Sequence, residues 1–129
     1  MASSSSPWAR HYQHVWEERS GSPRLPMWLR VAALAYGKHG ANGHAPFAAG
    51  EVALALSSVQ PNTGNITTPA RQNVRRAIDV AMEYGFLAPG SSSRCLIVPH
   101  HAIEGGIGNA YAPCPFHGPG LGRPWGQAA

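Results

Sequence analysis

An α+β fold, mainly α, is what this sequence predicts, on three observations. Helical periodicity recurs in four stretches, two short β-prone runs flank a turn after the last of them, and proline or glycine stands at most junctions. At 129 residues the chain can form one domain with flanking tails. Its 43% hydrophobic content supports a core, whereas 15 glycines and 12 prolines imply that part of the chain is not packed. The expected organisation is an N-terminal aromatic helix and linker over 1–24, a domain over 25–99 and a Gly/Pro-rich C-terminal tail over 100–129.

Ser6-Pro7 offers a cap followed by proline at the first helical position, so the first helix is expected to start there. Trp8, Tyr12, Val15 and Trp16 then recur at helical spacing until Gly21, Pro23 and Pro26 break the pattern. That aromatic stripe needs a surface to cover, either its own domain's core or a second copy of the chain. Pro26 opens a second helix, "PMWLRVAALAY", apolar around most of its circumference and therefore central, with Gly37 as its stop. "KHGANGH" reads as a polar loop with His39 and His44 solvated. "HAPF" is expected as one short strand, and "AAGEVALALSS" as a short helix through Val52, Leu54, Ala55 and Leu56. "VQPNTGNITTP" is too rich in turn formers for a core and reads as an exposed connection.

Thr68 before Pro69 is expected to cap a fourth helix that stops at Gly85. Ala70, Val74, Ala77, Ile78 and Ala81 share one face at about 100° per residue, and Gln72, Arg75, Arg76, Asp79 and Glu83 point the other way. Beyond Gly85, "FLA" and "RCLIVP" flank "PGSSS" as a hairpin with a mobile tip. Leu87, Leu96 and Val98 belong to the core, with Tyr84 and Phe86 covering the helix–sheet junction. From residue 105, "GGIGNAYAPCPFHGPGLGRPWGQAA" follows neither period and reads as a tail.

The stretches "NGHAPFAAGEVALAL", "RQNVRRAIDVAMEYGFLAPGSSSRCLIVP" and "HHAIEGG" carry a resemblance to a known family. From about Leu25 to Pro99, about three fifths of the chain, the sequence resembles the winged helix-turn-helix DNA-binding proteins of actinobacteria and of the phages that infect them. The resemblance implies a winged helix, double-stranded DNA as partner, and a part in transcription or replication in the cytoplasm of a bacterial host. The connection "VQPNTGNITTP" is longer than the family's usual turn.

Charge supports the same partner without the resemblance. A formal charge of +4 with only six acidic residues favours anionic partners. In the fourth helix Arg71, Arg75 and Arg76 occupy the first half, Asp79 and Glu83 the second. The helix macrodipole favours the opposite order by about 0.3–1 kcal/mol per charge. A helix that enters a major groove by its N-terminal end needs that end basic. Gln72 and Arg76 are therefore the expected base readers, and Arg71 and Arg75 the expected phosphate contacts. Thr68 at the helix start, and Ser92 and Arg94 at the hairpin tip, complete the expected DNA-binding set. The rival reading pairs Arg75 and Arg76 with Asp79 on a solvated surface, at about 0.2–0.5 kcal/mol per pair.

No catalytic set, cofactor or metal is expected. The acids are scattered, and no phosphate-loop pattern follows a strand. Cys95 and Cys114 are too few for a disulfide framework and suit a reducing cytoplasm, although one bridge stays open. With His100, His101 and His117 they could make up a tetrahedral zinc set. Against that, Cys95 sits in an apolar run and Cys114 lacks a second cysteine at finger spacing. "MASSSSPWARHYQ" has no signal-peptide core and no stretch approaches about 20 apolar residues, so no membrane is expected. A homodimer would supply two half-sites. A host protein, held through Trp8 and Trp16, is the alternative partner.

Overall fold

In the computed structural model, which describes residues 7–103 and 112–118, the chain is α+β: four α-helices and two small antiparallel strand pairs among the described residues. Helix α1 spans Gln13–Ser20, so the expected start at Pro7 is corrected; Ser6, its expected cap, lies outside the described residues. An eight-residue helix gains little from propensity alone and forms where tertiary contacts hold it. Those contacts begin at Gln13, whose Nε2 donates to the carbonyls of Tyr36 (3.0 Å) and His39 (3.1 Å) at the end of helix α2, Met27–Lys38. The Trp16 and Tyr36 rings meet at 5.3 Å, and the Arg19 guanidinium lies over the Trp16 ring at 4.9 Å. Trp8 and Tyr12, 60% and 78% exposed, lie before this contact zone.

Helix α2 is central, as expected: Arg30, Val31, Ala32, Ala33, Leu34, Ala35 and Gly37 are all buried. Gly37 is no stop, which is a second correction. A Cβ there would stand 2.7 Å from Glu17 Cγ and 2.8 Å from Glu17 N, so glycine lets α1 lie against α2 while the helix continues one residue further.

The chain returns through β1, His44–Pro46, and α3, Glu51–Ala55, which starts after Gly50 in the left-handed region (φ 79°). Glu51 Oε1 accepts from Ala48 N at 2.8 Å and ties down that corner. The expected exposed connection contains a hairpin of its own: β2 (Ser58–Val59) pairs with β3 (Ile66–Thr67), and Gln60 N donates to Asn65 O at 2.8 Å.

Helix α4, Arg71–Glu83, follows an extended Ala70 and has no side-chain cap. The expected Thr68 cap is thus corrected; its hydroxyl is 3.0 Å from Ser57 Oγ and bridges the two ends of the connection instead. At the other end the glycine stop is as expected. Gly85 (φ 80°) donates to Met82 O and Phe86 N to Ala81 O, the two bonds of a Schellman motif. Tyr84 and Phe86 then meet the Trp28 ring of α2 edge-on at 4.8 and 5.2 Å.

Of the two β-prone runs after Gly85, only β4, Cys95–Ile97, becomes a strand, and its partner is β1, with His44 opposite Ile97, Ala45 opposite Leu96 and Pro46 opposite Cys95. The "FLA" run meets it through a single bond, Ala88 N to Ile97 O (2.8 Å), and the expected two-stranded hairpin is corrected to that extent. The turn between them folds inward. Ser91 is buried; its hydroxyl donates to Ala88 O (2.9 Å) and accepts from Ile97 N (3.0 Å), doing the work of a missing backbone partner.

The faces of β4 alternate. Leu96 and Val98 join Val31, Leu34, Phe47, Val52, Leu56, Val74, Ile78 and Leu87 in the main core. Cys95 and Ile97 face outward into a second cluster with Ala88 and Cys114. Residues 112–118 therefore lie over the outer face of β4, and β4 is buried on both sides. The remainder of the expected tail, 104–111 and 119–129, lies outside the described residues.

Candidate functional site

Helix α4 separates its residues by face. Val74, Ala77, Ile78 and Ala81 are buried, while Arg71, Gln72, Asn73, Arg75, Arg76, Asp79 and Glu83 are exposed. The first two turns thus present three guanidiniums and two amides, with no acid in the first turn. Arg75 Nε lies 3.1 Å from Asp79 Oδ1, an exposed i,i+4 pair of about 0.3–0.5 kcal/mol. Half of the rival solvated-surface arrangement is therefore present. Arg76 makes no ion pair among the described residues. Asn73, on the expected helix close to the buried side, adds an exposed amide to the same end.

The other expected contact residues are differently occupied. Thr68 is exposed, with its hydroxyl toward Ser57. Ser92 is half-buried; its Oγ accepts from Arg94 N (3.2 Å), and its backbone exchanges bonds with Cys95. Arg94 Nε donates to Phe47 O at 3.0 Å while its guanidinium stacks over Phe116 at 4.7 Å. Thus Arg71, Gln72, Arg75 and Arg76 come together on one exposed surface, and Ser92 and Arg94 belong to a separate, locally bonded turn.

A second constellation lies on the outer face of β4. His44, Cys95, Cys114 and His117 place one ligand-type atom each within 4.8 Å of one another. Cys95 Sγ is 3.4 Å from His44 Nδ1 and 3.5 Å from Cys114 Sγ, and Cys114 Sγ is 3.4 Å from His117 Nδ1. Both cysteines are free and buried. Register explains the meeting, since His44 and Cys95 sit on the outward face of paired strands. The "CPFH" turn closes over them through Cys114 N to Gly118 O and Gly118 N to Cys114 O, both 2.9 Å. Asn42 steadies the entrance: its Oδ1 accepts from His44 N (3.0 Å) and its Nδ2 donates to Ala112 O (3.2 Å). Burial, with His117 nearby, pushes the His44 imidazole down to about 4. Burial, and then Cys114, pushes the Cys95 thiol up to about 12. Both shifts favour the uncharged forms of His44 and Cys95, and a divalent metal would reverse that preference at Cys95 by ionising its thiol.

The expected solvated His44 is corrected, being only 6% exposed. His39 is buried too, with Nδ1 2.7 Å from Gly40 O. Of the zinc candidates considered in the sequence, Cys95, Cys114 and His117 meet, whereas His100 and His101 lie in a 3-10 turn outside the cluster. The fourth residue beside them is His44. The available signal was the uninterrupted apolar run "CLIV", which implies a strand buried on both faces and hence a cover on its outer side, though not which residues supply it.

No helix among the described residues is long and apolar enough to cross a membrane. No protein-family model matches the chain, and neither a curated protein nor a solved structure matches it.

Proposed function

We propose that the chain is a winged-helix protein that binds double-stranded DNA with the N-terminal half of α4 in the major groove. The observation that carries this reading is the exposed Arg71, Gln72, Arg75 and Arg76 surface, backed by a buried Val74, Ala77, Ile78 and Ala81 face and arranged against the helix dipole. In this reading α3 and α4 are the helix-turn-helix pair, the β2–β3 hairpin is an insertion in their connection, and the turn before β4 is a short wing. Gln72 and Arg76 read base edges, and Arg71 and Arg75 position the helix on phosphates. A dimer, with Trp8 and Tyr12 in its interface, would present two such helices to paired half-sites. The role is regulation of transcription or replication in a bacterial cytoplasm.

A protein partner is the second reading, favoured by Val59 and Ile66, a cross-strand apolar pair 64% and 67% exposed on the β2–β3 hairpin. Salt dependence separates the two. The full chain is titrated with a duplex selected from a random library, and with its scramble, at several salt concentrations. DNA recognition predicts tighter binding to the selected duplex and an affinity that falls steeply with salt. Equal, weak binding to both duplexes would overturn it in favour of the protein partner.

A further inference from the structure

The outer face of β4 carries a site independent of the DNA reading. Zn²⁺ binds thiolate sulfur at about 2.3 Å and imidazole nitrogen at about 2.0–2.1 Å, so a tetrahedral ion spaces its ligands about 3.8 Å from S to S and about 3.6 Å from S to N. Three of the cluster's six separations come close to this, 3.5 Å between the sulfurs and 3.4 Å for Cys95–His44 and Cys114–His117, and all six lie within 4.8 Å. We propose that His44, Cys95, Cys114 and His117 hold one zinc ion in a closed, tetrahedral structural site.

Three features beyond ligand spacing support it. His117 Nε2 lies 2.8 Å from Gly90 O; donation to that carbonyl leaves Nδ1 unprotonated and aimed at Cys114, the usual way a backbone carbonyl orients a metal-binding imidazole. Cys114 Sγ accepts from Phe116 N at 3.4 Å, so this sulfur has amide support for negative charge. The charge balance also suits a buried position. Zn²⁺ displaces the two thiol protons to solvent and is bound by two thiolates and two neutral imidazoles, giving a site with no net charge. All four positions are filled by protein, so the ion serves structure and not catalysis. It fastens β1, β4 and residues 112–118 to one another and, through His117, holds Gly90 in the turn that precedes β4.

The test uses the full chain purified without chelator. Metal analysis should find one equivalent of zinc, and replacement by Co²⁺ should give the visible bands of a tetrahedral ion together with thiolate-to-cobalt charge transfer. Cys114→Ser should lose both the ion and the charge-transfer pattern of two thiolates. His117→Gln, at an exposed position, should bind zinc more weakly while its circular dichroism stays that of a folded chain. His101→Ala should keep the full equivalent. Less than half an equivalent without the cobalt spectrum would overturn the site, as would full zinc retention in Cys114→Ser or loss of zinc in His101→Ala. Absence of titratable thiols in the denatured, chelated protein would likewise replace the ion by a Cys95–Cys114 disulfide.

Discussion

Phe47 and Arg94 are joined twice: Phe47 N donates to Arg94 O at 2.8 Å, and Arg94 Nε returns a bond to Phe47 O at 3.0 Å. The pair anchors the end of β1 to the turn before β4, and the stacking of the guanidinium on Phe116 extends the anchor to the segment that covers β4. Arg94→Ala should therefore lower stability by about 1–2 kcal/mol, combining a net hydrogen bond with an exposed cation–π contact. Urea denaturation should show this as a lower midpoint at unchanged slope. Arg94→Lys should lose most of the same stability because its ammonium is not a planar fork. If Arg94 also meets a phosphate, alanine lowers the salt slope of DNA binding by about one and lysine does not.

On α4 the expected losses divide by role. Gln72→Ala and Arg76→Ala should each cost about 1–3 kcal/mol on the selected duplex and relax preference at one base position, and Gln72→Ala should leave scrambled DNA almost unaffected. Arg71→Ala should weaken both duplexes alike and reduce the salt slope by about one. All three side chains are exposed, so thermal midpoints should stay close to the wild-type value. Unchanged binding of both duplexes in all three variants would mark this face as a solvated surface.

Gly37 and Gly21 should respond differently to alanine. In a free helix Gly37→Ala would gain up to about 1 kcal/mol from propensity. Here the new methyl would meet Glu17 N at 2.8 Å and Gln13 O at 3.1 Å, backbone atoms that yield only if α1 moves. We expect a net loss of about 1–3 kcal/mol, as for other overpacked sites. Gly21, with φ −87° and its nearest neighbour at 3.5 Å, should accept alanine with little change. Differential scanning calorimetry of the two variants gives the comparison directly.

Core and hairpin should also differ sharply. Ile78 of α4 is fully buried in the main core, and Ile78→Ala should cost about 2–5 kcal/mol. Ile66→Ser on the exposed β2–β3 hairpin should stay within about 0.5 kcal/mol of wild type, and measurement of both by chemical denaturation checks the assigned burial.

Local signals in the sequence located the helices through pattern and stop chemistry. Periodicity placed α2 and the buried face of α4, and Gly85 marked the end of α4, because these are read within one or two turns of chain. Start positions were less legible. Pro7 and Thr68 satisfy capping rules in isolation, yet Gln13 reaching α2 and Thr68 reaching Ser57 decided the outcome. The same limit hid the Cys–His cluster. Cys114 and His117 are three residues apart and readable together, whereas His44 enters through the pairing of β1 with β4. The bonds of Arg94, expected as a DNA contact at the hairpin tip, are not legible because nothing near it in sequence indicates Phe47 or Phe116.

The β1–β4 ladder has a kinetic consequence. His44 and Cys95 are 51 residues apart along the chain, with α3, the β2–β3 hairpin and α4 between them. A contact of that span forms only after its long loop is closed, so the pairing of α1 with α2, which needs only a short connection, should precede the sheet during refolding. During synthesis β1 leaves the ribosome well before its partner and waits with its edge unpaired. Its brevity, and the proline at position 46 that cannot donate to a neighbouring strand, reduce the chance that another nascent chain pairs with it first.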